Sequence, residues 1–268
     1  MNEQLAGGKL LLDSPAEAVV RLRISNPERR NALDHEILDA LAETLPRLDQ
    51  GIATRCLLIT GAPPVFSAGY DISAIPNETF ERDAEALVAH PFHAAMEALA
   101  NHPWPTVAAI NGACVGGGLE LAVTCDLRIA AAGAKLGMPP VKLGLVYSHT
   151  GLRKFIDTVG LARTKELFLT GRNFEAKRAA EIGLVNEVVA AERLEEISVA
   201  LAAEIAANAP LSMRGNKSAI DLLAASPVLS EQQEAGLIAL RESCFSSADF
   251  REGIEAFAEK RKPEWKGR

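Results

Sequence analysis

A run of three glycines followed by a glutamate is the part of the sequence best suited to chemistry. Gly116, Gly117 and Gly118 are followed by Leu119 and Glu120. Glycines let backbone approach a ligand closely, and a helix that begins here directs unpaired N–H groups and its positive end at negative charge. Glu120 stands three residues after Gly117, on the same helical face. The segment predicts an oxyanion site with a base beside it; the alternative is a glycine turn before an ordinary helix.

A second loop of the same kind occurs earlier in the chain. The buried strand predicted at 55–60 ends at Gly61-Ala-Pro-Pro, and Phe66-Ser-Ala-Gly-Tyr-Asp71 follows. This loop and Val115–Glu120 can each present one backbone N–H to a shared point. Two converging N–H donors make an oxyanion hole.

The elements that hold these loops alternate between strand and helix. The predicted strands lie at 18–24, 55–60, 103–110, 127–130 and 135–138, and the predicted helices at 31–50 and about 81–100. From Gly151 onward helices predominate, with breaks at Gly160, Gly171, Gly183 and 208–210. The alternation indicates an α/β fold in which successive ββα turns coil into a spiral. The tail from Leu211 reads as a separate helical layer, suited to packing on the core or on another subunit.

Composition limits the classes of function. The 268 residues are 48% hydrophobic and carry a net charge of −7, which is typical of a globular protein and argues against a nucleic-acid partner. The four cysteines are scattered without metal-ligand spacing, so we expect reduced thiols and no metal. The N-terminus lacks a secretory signal, and no apolar run is long enough to span a membrane. We therefore expect a cytoplasmic protein without a membrane partner.

Four segments in order resemble the crotonase superfamily, which contains the enoyl-CoA hydratases and isomerases. They are Asn26–Leu33, the two loops described above, and Glu252–Arg261; the resemblance extends from about Val19 to Arg261. It implies a ββα spiral core over residues 1–208 and a helical trimerisation region over residues 209–268. It also implies an acyl-CoA substrate, no permanently bound cofactor, and assembly as a homotrimer or a dimer of trimers.

The resemblance also implies roles for individual residues. The backbone N–H groups of Tyr70 and Gly117 match the oxyanion hole that holds an enolate-like thioester oxygen. The carbonyl of Ala68 matches the contact with the adenine amino group. Further positions that match contacts with coenzyme A are Arg29 or Arg30 at the phosphates, and Phe257 and Lys260 in the tail, which reach CoA in the neighbouring subunit. For the three basic residues, a solvated surface charge is the alternative.

The sequence departs from the hydratase pattern at the second acid. Glu120 matches the first of two glutamates that bracket a water, but Pro140 occupies the place of the second and cannot transfer a proton. Tyr147, seven residues later, can donate a hydrogen bond or proton, although a packing role is the alternative. The segment 138–151 resembles the corresponding part of methylmalonyl-CoA decarboxylase, where a tyrosine lies by the substrate carboxylate.

Three functional interpretations follow from this departure. Loss of CO₂ leaves electrons on the α-carbon without any base, so the sequence favours decarboxylation of a malonyl-type CoA. Hydration or isomerisation of an enoyl-CoA through Glu120 is the alternative, since one base can move a proton between two carbons. A more remote alternative is a non-catalytic binding or scaffold protein that keeps the fold.

Overall fold

Two β-sheets and their connecting helices form the framework in the computed structural model, which describes residues 2–48, 51–71, 88–226 and 228–268. The strands are β1 Asn2–Leu5, β2 Leu10–Ala16, β3 Val19–Ile24, β4 Cys56–Gly61, β5 Val65–Ser67, β6 Thr106–Ile110, β7 Ala113–Val115, β8 Leu127–Ala131, β9 Lys135–Gly137, β10 Asn173–Glu175 and β11 Glu187–Val189. The helices are α1 His35–Arg47, α2 His93–Ala100, α3 Gly117–Thr124, α4 His149–Thr170, α5 Ala176–Glu181, α6 Leu194–Ala206, α7 Pro210–Ala225, α8 Glu231–Ser246 and α9 Ala248–Glu259.

The strand order shows the spiral predicted from the sequence. One sheet has the order β1-β2-β3-β4-β6-β8-β11 and the other the order β10-β9-β7-β5. Each successive strand pair, β4 with β5, β6 with β7 and β8 with β9, gives one strand to each sheet. Helix α3 follows the second pair and α4 follows the third. The chain therefore has a mixed α/β fold built from ββα turns, as predicted.

The central strands of the larger sheet are buried on both faces. Leu57 and Ile59 of β4 lie in the main core, whereas Cys56 and Leu58 lie in a second cluster with Leu194 and other residues of α6. Alternate strand residues point to opposite faces of a sheet. A parallel sheet covered on both faces needs apolar residues at every position, which explains the unbroken apolar runs at β4 and β6.

Helix α1 begins later than the predicted limit of Asn31. Oδ1 of Asp34 accepts a hydrogen bond of 2.9 Å from the N–H of Ile37, so Asp34 caps a helix that starts at His35. The apolar positions that predicted this helix form its buried face and include Ile37, Leu38, Leu41 and Leu45. The apolar spacing therefore predicts this helix, and its start differs from the prediction because Asp34, not a residue near Asn31, is the N-cap.

Other expectations differ from the structure in detail. The first residues of the predicted loop 65–71 form β5, and strands β1 and β2 were not predicted. The predicted break at Gly160 is confirmed, since this residue, at φ 75° and ψ 166°, is not helical and divides α4 into two helical segments joined at a kink. Of the helix expected at 81–100, the structure gives α2 from His93, preceded by a π-helical turn at Val88–Phe92, and residues 81–87 lie outside the described residues.

The C-terminal helices are tied to the rest of the chain by polar contacts. Nζ of Lys217 in α7 lies 2.6 Å from Oδ2 of Asp126, which follows α3. The indole N–H of Trp265 donates to the carbonyl of Ala207 over 2.7 Å.

Across residues 2–48, 51–71, 88–226 and 228–268, none of the helices combines the length and apolar character needed to cross a bilayer.

Candidate active site

The glycine turn delivers Glu120 into the protein interior. Gly116 caps α3 at φ 56° and ψ −128°, a conformation that side chains rarely adopt, and Gly117 is the first residue of the helix. The N–H of Gly117 is thus among those that a helix leaves without an internal partner. Glu120 lies in the first turn and is 2% exposed. A buried carboxyl therefore lies one turn from an available backbone donor, as predicted.

The second loop is held against the first by backbone contacts. Gly69, at φ 94°, accepts a hydrogen bond of 2.8 Å from the N–H of Leu33, and the N–H of Asp71 donates to the carbonyl of Leu33 over 3.0 Å. Because these bonds use the residues on either side of Tyr70, the N–H of Tyr70 points away from Leu33. A Cβ atom on Gly69 would lie 3.1 Å from the nitrogen of Gly117. The structure therefore brings together the two predicted oxyanion loops.

Tyr147 reaches the carboxyl group of Glu120 directly. Its hydroxyl donates to Oε2 of Glu120 over 2.5 Å. Ser148 is the N-cap of α4 and accepts a hydrogen bond of 3.2 Å from the N–H of Gly151. A Cβ on Gly151 would lie 2.7 Å from Cε1 of Tyr147 and 2.9 Å from Oε2 of Glu120. The start of α4 therefore fits closely over the pair and requires glycine at this position.

A second tyrosine extends this hydrogen-bonded chain. The hydroxyl oxygens of Tyr70 and Tyr147 are 3.3 Å apart. Tyr147 has one hydroxyl proton. While that proton is donated to Glu120, the hydroxyl of Tyr70 acts as the donor to Tyr147. The side chain of Tyr70 therefore belongs to the polar cluster, through a hydrogen bond that was not predicted from the sequence.

Burial dominates the electrostatics of the cluster. It raises the pKa of Glu120, an effect opposed first by the hydrogen bond from Tyr147 and then by the charges of Lys154 and His93. Burial, followed by the nearby Glu120 charge, raises the pKa of Tyr147 well above its usual value and also raises the pKa of Tyr70. Both phenols are therefore neutral at pH 7, and the carboxyl is the group that changes charge most readily.

Pro140 occupies a buried position without a proton to give. It begins a 3₁₀ turn, Pro140–Leu143, and its carbonyl accepts a hydrogen bond of 3.0 Å from the N–H of Leu145. The cluster therefore contains one carboxyl, Glu120, with phenols as its hydrogen-bonding neighbours in the described residues. Within those same residues, no group of three His, Cys, Asp or Glu side chains could hold a metal ion.

The residues matched to coenzyme A fall into two separate places. Arg29 and Arg30 are exposed, and the carbonyl of Arg30 accepts a hydrogen bond of 3.1 Å from the N–H of Ala68. The basic loop, Asn26–Leu33, is thus adjacent to the oxyanion loop, Phe66–Asp71. Phe257, on α9, is 88% exposed, and Lys260 is the exposed C-cap of that helix. No hydrogen bond or ion pair joins these two tail residues to the oxyanion loops in the part of the chain that the structure describes.

The sequence interpretation missed Asn31, which fixes the basic loop. Asn31 is fully buried; its amide group donates to the carbonyls of Ala62 over 2.7 Å and Val65 over 2.6 Å. Its side-chain oxygen accepts a hydrogen bond of 3.0 Å from the N–H of Asn26. Its backbone has φ 55°, in the left-handed region where asparagine is enriched. An asparagine between turn residues was the available signal.

Comparisons with known proteins agree with the geometry. The family described as enoyl-CoA hydratase/isomerase matches residues 15–268. A Bacillus subtilis protein named probable enoyl-CoA hydratase is 38% identical over 252 residues, which cover 93% of this chain and 95% of the relative. The human mitochondrial enoyl-CoA hydratase domain-containing protein 2 is 34% identical, with 96% and 88% covered. The crystal structure of an enoyl-CoA hydratase from Bacillus anthracis superposes with a TM-score of 0.89 at 32% identity, covering 97% of this chain and all of that one.

Proposed function

Since this chain belongs to the enoyl-CoA hydratase/isomerase family, we propose that it hydrates an enoyl-CoA thioester with Glu120 and Tyr147 as its proton-transfer pair. The observation that carries the proposal is the 2.5 Å hydrogen bond between the Tyr147 hydroxyl and Oε2 of Glu120. A pair in this contact can exchange a proton directly. The phenol then does part of the work of the missing second glutamate.

The thioester oxygen binds between the backbone N–H groups of Tyr70 and Gly117. The contact between the two loops and the outward direction of the Tyr70 N–H support this placement. Charge that develops on the oxygen is stabilised there by fixed dipoles. Such a site stabilises an enolate, which is the intermediate common to hydration, isomerisation and decarboxylation of an acyl-CoA thioester.

The hydration step balances without a second carboxylate. Glu120 takes a proton from water while the water oxygen bonds to the β-carbon and the displaced electron pair forms the enolate. The α-carbon of the enolate takes the phenolic proton of Tyr147. The proton on Glu120 then passes to the Tyr147 oxygen along their hydrogen bond. Water has added across the double bond, and both side chains are restored.

The same base also serves double-bond isomerisation. Glu120 removes a proton from one carbon of an enoyl-CoA and returns it to another, and no water is consumed. Oε2 is held by Tyr147, while Oε1 accepts no hydrogen bond within the described residues and is available for this transfer. Isomerisation therefore differs from hydration in two respects: no water adds to the β-carbon, and Tyr147 gives no proton to the α-carbon.

Decarboxylation of a malonyl-type CoA, which the sequence favoured, stays a second candidate. The names of the relatives do not support it. The observation in its favour is that burial raises the pKa of Glu120. A protonated Glu120 repels a substrate carboxylate less than a carboxylate does. After the C–C bond breaks and CO₂ leaves, it can give its proton to the α-carbon of the enolate.

The nucleotide end of the substrate is assigned by resemblance. We place its phosphates at Arg29 or Arg30 and its adenine at the carbonyl of Ala68. The hydrogen bond from the N–H of Ala68 to the carbonyl of Arg30 holds these two contact sites next to each other. Phe257 and Lys260 are assigned to CoA in a neighbouring subunit, which agrees with their exposure. Coenzyme A is then part of the substrate, and the chain uses no resident cofactor.

The assembly and location of the protein are further parts of the proposal. We divide the chain into a core at 1–208 and an oligomerisation region at 209–268, where α7, α8 and α9 lie. Exposed apolar side chains in this region, such as Ile220, Ile254 and Phe257, suit a subunit interface in a trimer or hexamer. Sedimentation equilibrium of the intact chain tests this, and a monomer at all concentrations would contradict it. We assign the protein to the cytoplasm.

A panel of thioesters distinguishes the reactions. Crotonyl-CoA reports hydration, a 3-enoyl-CoA reports isomerisation, and methylmalonyl- and ethylmalonyl-CoA report CO₂ release. We expect hydration that Glu120→Gln nearly abolishes, at a rate below that of an enzyme with two carboxyls because phenol is the weaker acid. CO₂ release without hydration would transfer the assignment to the decarboxylase. Turnover of none of these would support the non-catalytic alternative.

A further inference from the structure

We propose that the side chain of Tyr70 limits the size of the acyl group, so that the site selects short acyl chains. The proposal rests on the proposed function, because it takes the Tyr70 and Gly117 amides as the seat of the thioester oxygen. It assigns a specificity role to a side chain whose backbone alone serves the oxyanion hole.

The ring of Tyr70 lies directly against the oxyanion glycine. A Cβ atom on Gly117 would lie 2.5 Å from Cε1 and 2.8 Å from Cδ1 of the ring. Only glycine at this position leaves room for the ring, so the close fit involves both residues. The ring therefore forms a wall beside the thioester carbon.

The same ring extends to the proton-transfer pair. Its hydroxyl oxygen is 3.3 Å from that of Tyr147, which in turn donates to Glu120. The α- and β-carbons of a substrate must lie between the oxyanion donors and Glu120. The Tyr70 ring runs along this path, so it flanks the reacting carbons on one side.

The ring is also prevented from retreating. Phe92, 3% exposed, packs edge-on against it with ring centroids 4.6 Å apart and an interplanar angle of 82°. The hydrogen bonds of Leu33 to Gly69 and Asp71 fix the backbone on both sides of Tyr70. A longer acyl chain that met this wall would have to displace packed aromatic side chains.

Binding of saturated acyl-CoAs tests the wall without depending on turnover. Isothermal titration calorimetry compares butyryl-, hexanoyl- and octanoyl-CoA on wild type, Tyr70→Phe and Tyr70→Ala. An open apolar pocket gains about fourfold in affinity for each added methylene. We expect wild type and Tyr70→Phe to gain nothing beyond butyryl-CoA, because both keep the ring. In Tyr70→Ala the ratio of octanoyl to butyryl affinity rises at least about tenfold.

The outcomes separate this inference from the proposed function. If wild type already binds octanoyl-CoA about fourfold tighter per methylene than butyryl-CoA, or if Tyr70→Ala leaves the ratio unchanged, the wall is refuted. If no acyl-CoA binds, the proposed function fails and takes this inference with it. Tyr70→Leu, which keeps an apolar side chain in the core, replaces Tyr70→Ala if the latter does not fold, and an intermediate ratio is then expected.

Discussion

The hydroxyl of Tyr147 donates a 2.5 Å hydrogen bond to Oε2 of Glu120, a residue 27 positions earlier in the chain. The two side chains come from successive turns of the spiral: Glu120 from the start of α3, and Tyr147 from just before α4. A neutral acid thus touches the buried carboxyl. The buried carboxyl therefore has a partner that carries a proton without adding a second negative charge.

Replacement of Glu120, the proposed base, should separate catalysis from folding. Glu120→Gln keeps the size of the side chain and an oxygen that can accept from Tyr147. Because general acid–base groups typically contribute 10²- to 10⁴-fold, we expect kcat for crotonyl-CoA hydration to fall by about that factor. Circular dichroism and butyryl-CoA binding should stay close to wild type. Retained turnover in this folded variant would show that Glu120 is structural.

Removal of the Tyr147 hydroxyl should shift the pH profile. The hydrogen bond from Tyr147 lowers the pKa of Glu120, so its loss in Tyr147→Phe raises that pKa further. The acid limb of kcat/KM, where protonated Glu120 is inactive as a base, should move to higher pH. The ring keeps its packing against Phe168, whose centroid is 5.4 Å away, so the fold is retained. An acid limb that stays in place or moves to lower pH contradicts the assignment.

The buried carboxyl should also make stability depend on pH. The pKa of Glu120 is raised above 4.5 in the folded state, so the folded protein binds the proton more tightly than the unfolded chain. This stabilisation is complete below the unfolded pKa and is lost as pH rises through the folded pKa. Glu120→Gln, which cannot ionise, should gain Tm relative to wild type on going from pH 5 to pH 8. Calorimetric scans at both values measure the difference, with Glu242→Gln on the exposed face of α8 as the control for loss of a charge. An unchanged difference in Tm would argue against this linkage.

The fit of α4 over the site predicts a contrast between two glycines. In Gly151→Ala the added methyl meets Cε1 of Tyr147 at 2.7 Å and Oε2 of Glu120 at 2.9 Å, so we expect a loss of about 1–3 kcal/mol in unfolding free energy and lower activity. Gly236, within α8, has nothing within 4 Å of such a methyl. Gly236→Ala should therefore gain roughly 0.5–1 kcal/mol from helix propensity. Urea titrations of both variants check the signs, and a stable, active Gly151→Ala would contradict the close fit.

Loss of the Asn31 amide should destabilise the basic loop. Asn31→Ala leaves the carbonyls of Ala62 and Val65 without this donor and places alanine at φ 55°. A loss of about 2–4 kcal/mol is expected from these effects together. Asn216, exposed on α7 with one side-chain hydrogen bond, provides the matched control, since Asn216→Ala should change stability by less than about 0.5 kcal/mol. Equal denaturation midpoints for the two variants would show that the hydrogen bonds of the Asn31 side chain do not stabilise the basic loop.

The sequence predicted those parts of the fold that leave a periodic or glycine signal. The buried runs of β4 and β6 and the glycine turn before Glu120 have this character, because burial on both faces and positive φ each restrict residue choice. Short strands such as β5 and β10, with three residues each, carry too little pattern to distinguish them from loops. Their pairing comes from the spiral and not from local propensity.

The site likewise has features that the sequence predicts and contacts that it does not. The resemblance predicted the amides of Tyr70 and Gly117 as oxyanion donors, and Pro140 in place of the second acid made Tyr147 the candidate proton donor. No local pattern could give the hydrogen bond between the two tyrosines, because their hydroxyls come from residues 77 positions apart. The packing of Phe92 on Tyr70 could not be predicted for the same reason, because it depends on the tertiary packing of two separate segments.

The three hydrogen bonds of Asn31 have a consequence for how substrate binding is used. Two of them join the basic loop to Ala62 and Val65, which precede the oxyanion loop, and the third joins Asn31 to Asn26 within the basic loop. The proposed phosphate and thioester contacts therefore lie on one cross-linked piece of backbone. Attraction at the nucleotide then draws the reacting end into register, since binding free energy far from the reaction centre can offset the entropy lost in aligning it. A substrate shortened to its pantetheine arm would lose turnover as well as affinity, because the handle that aligns its reactive end would be gone.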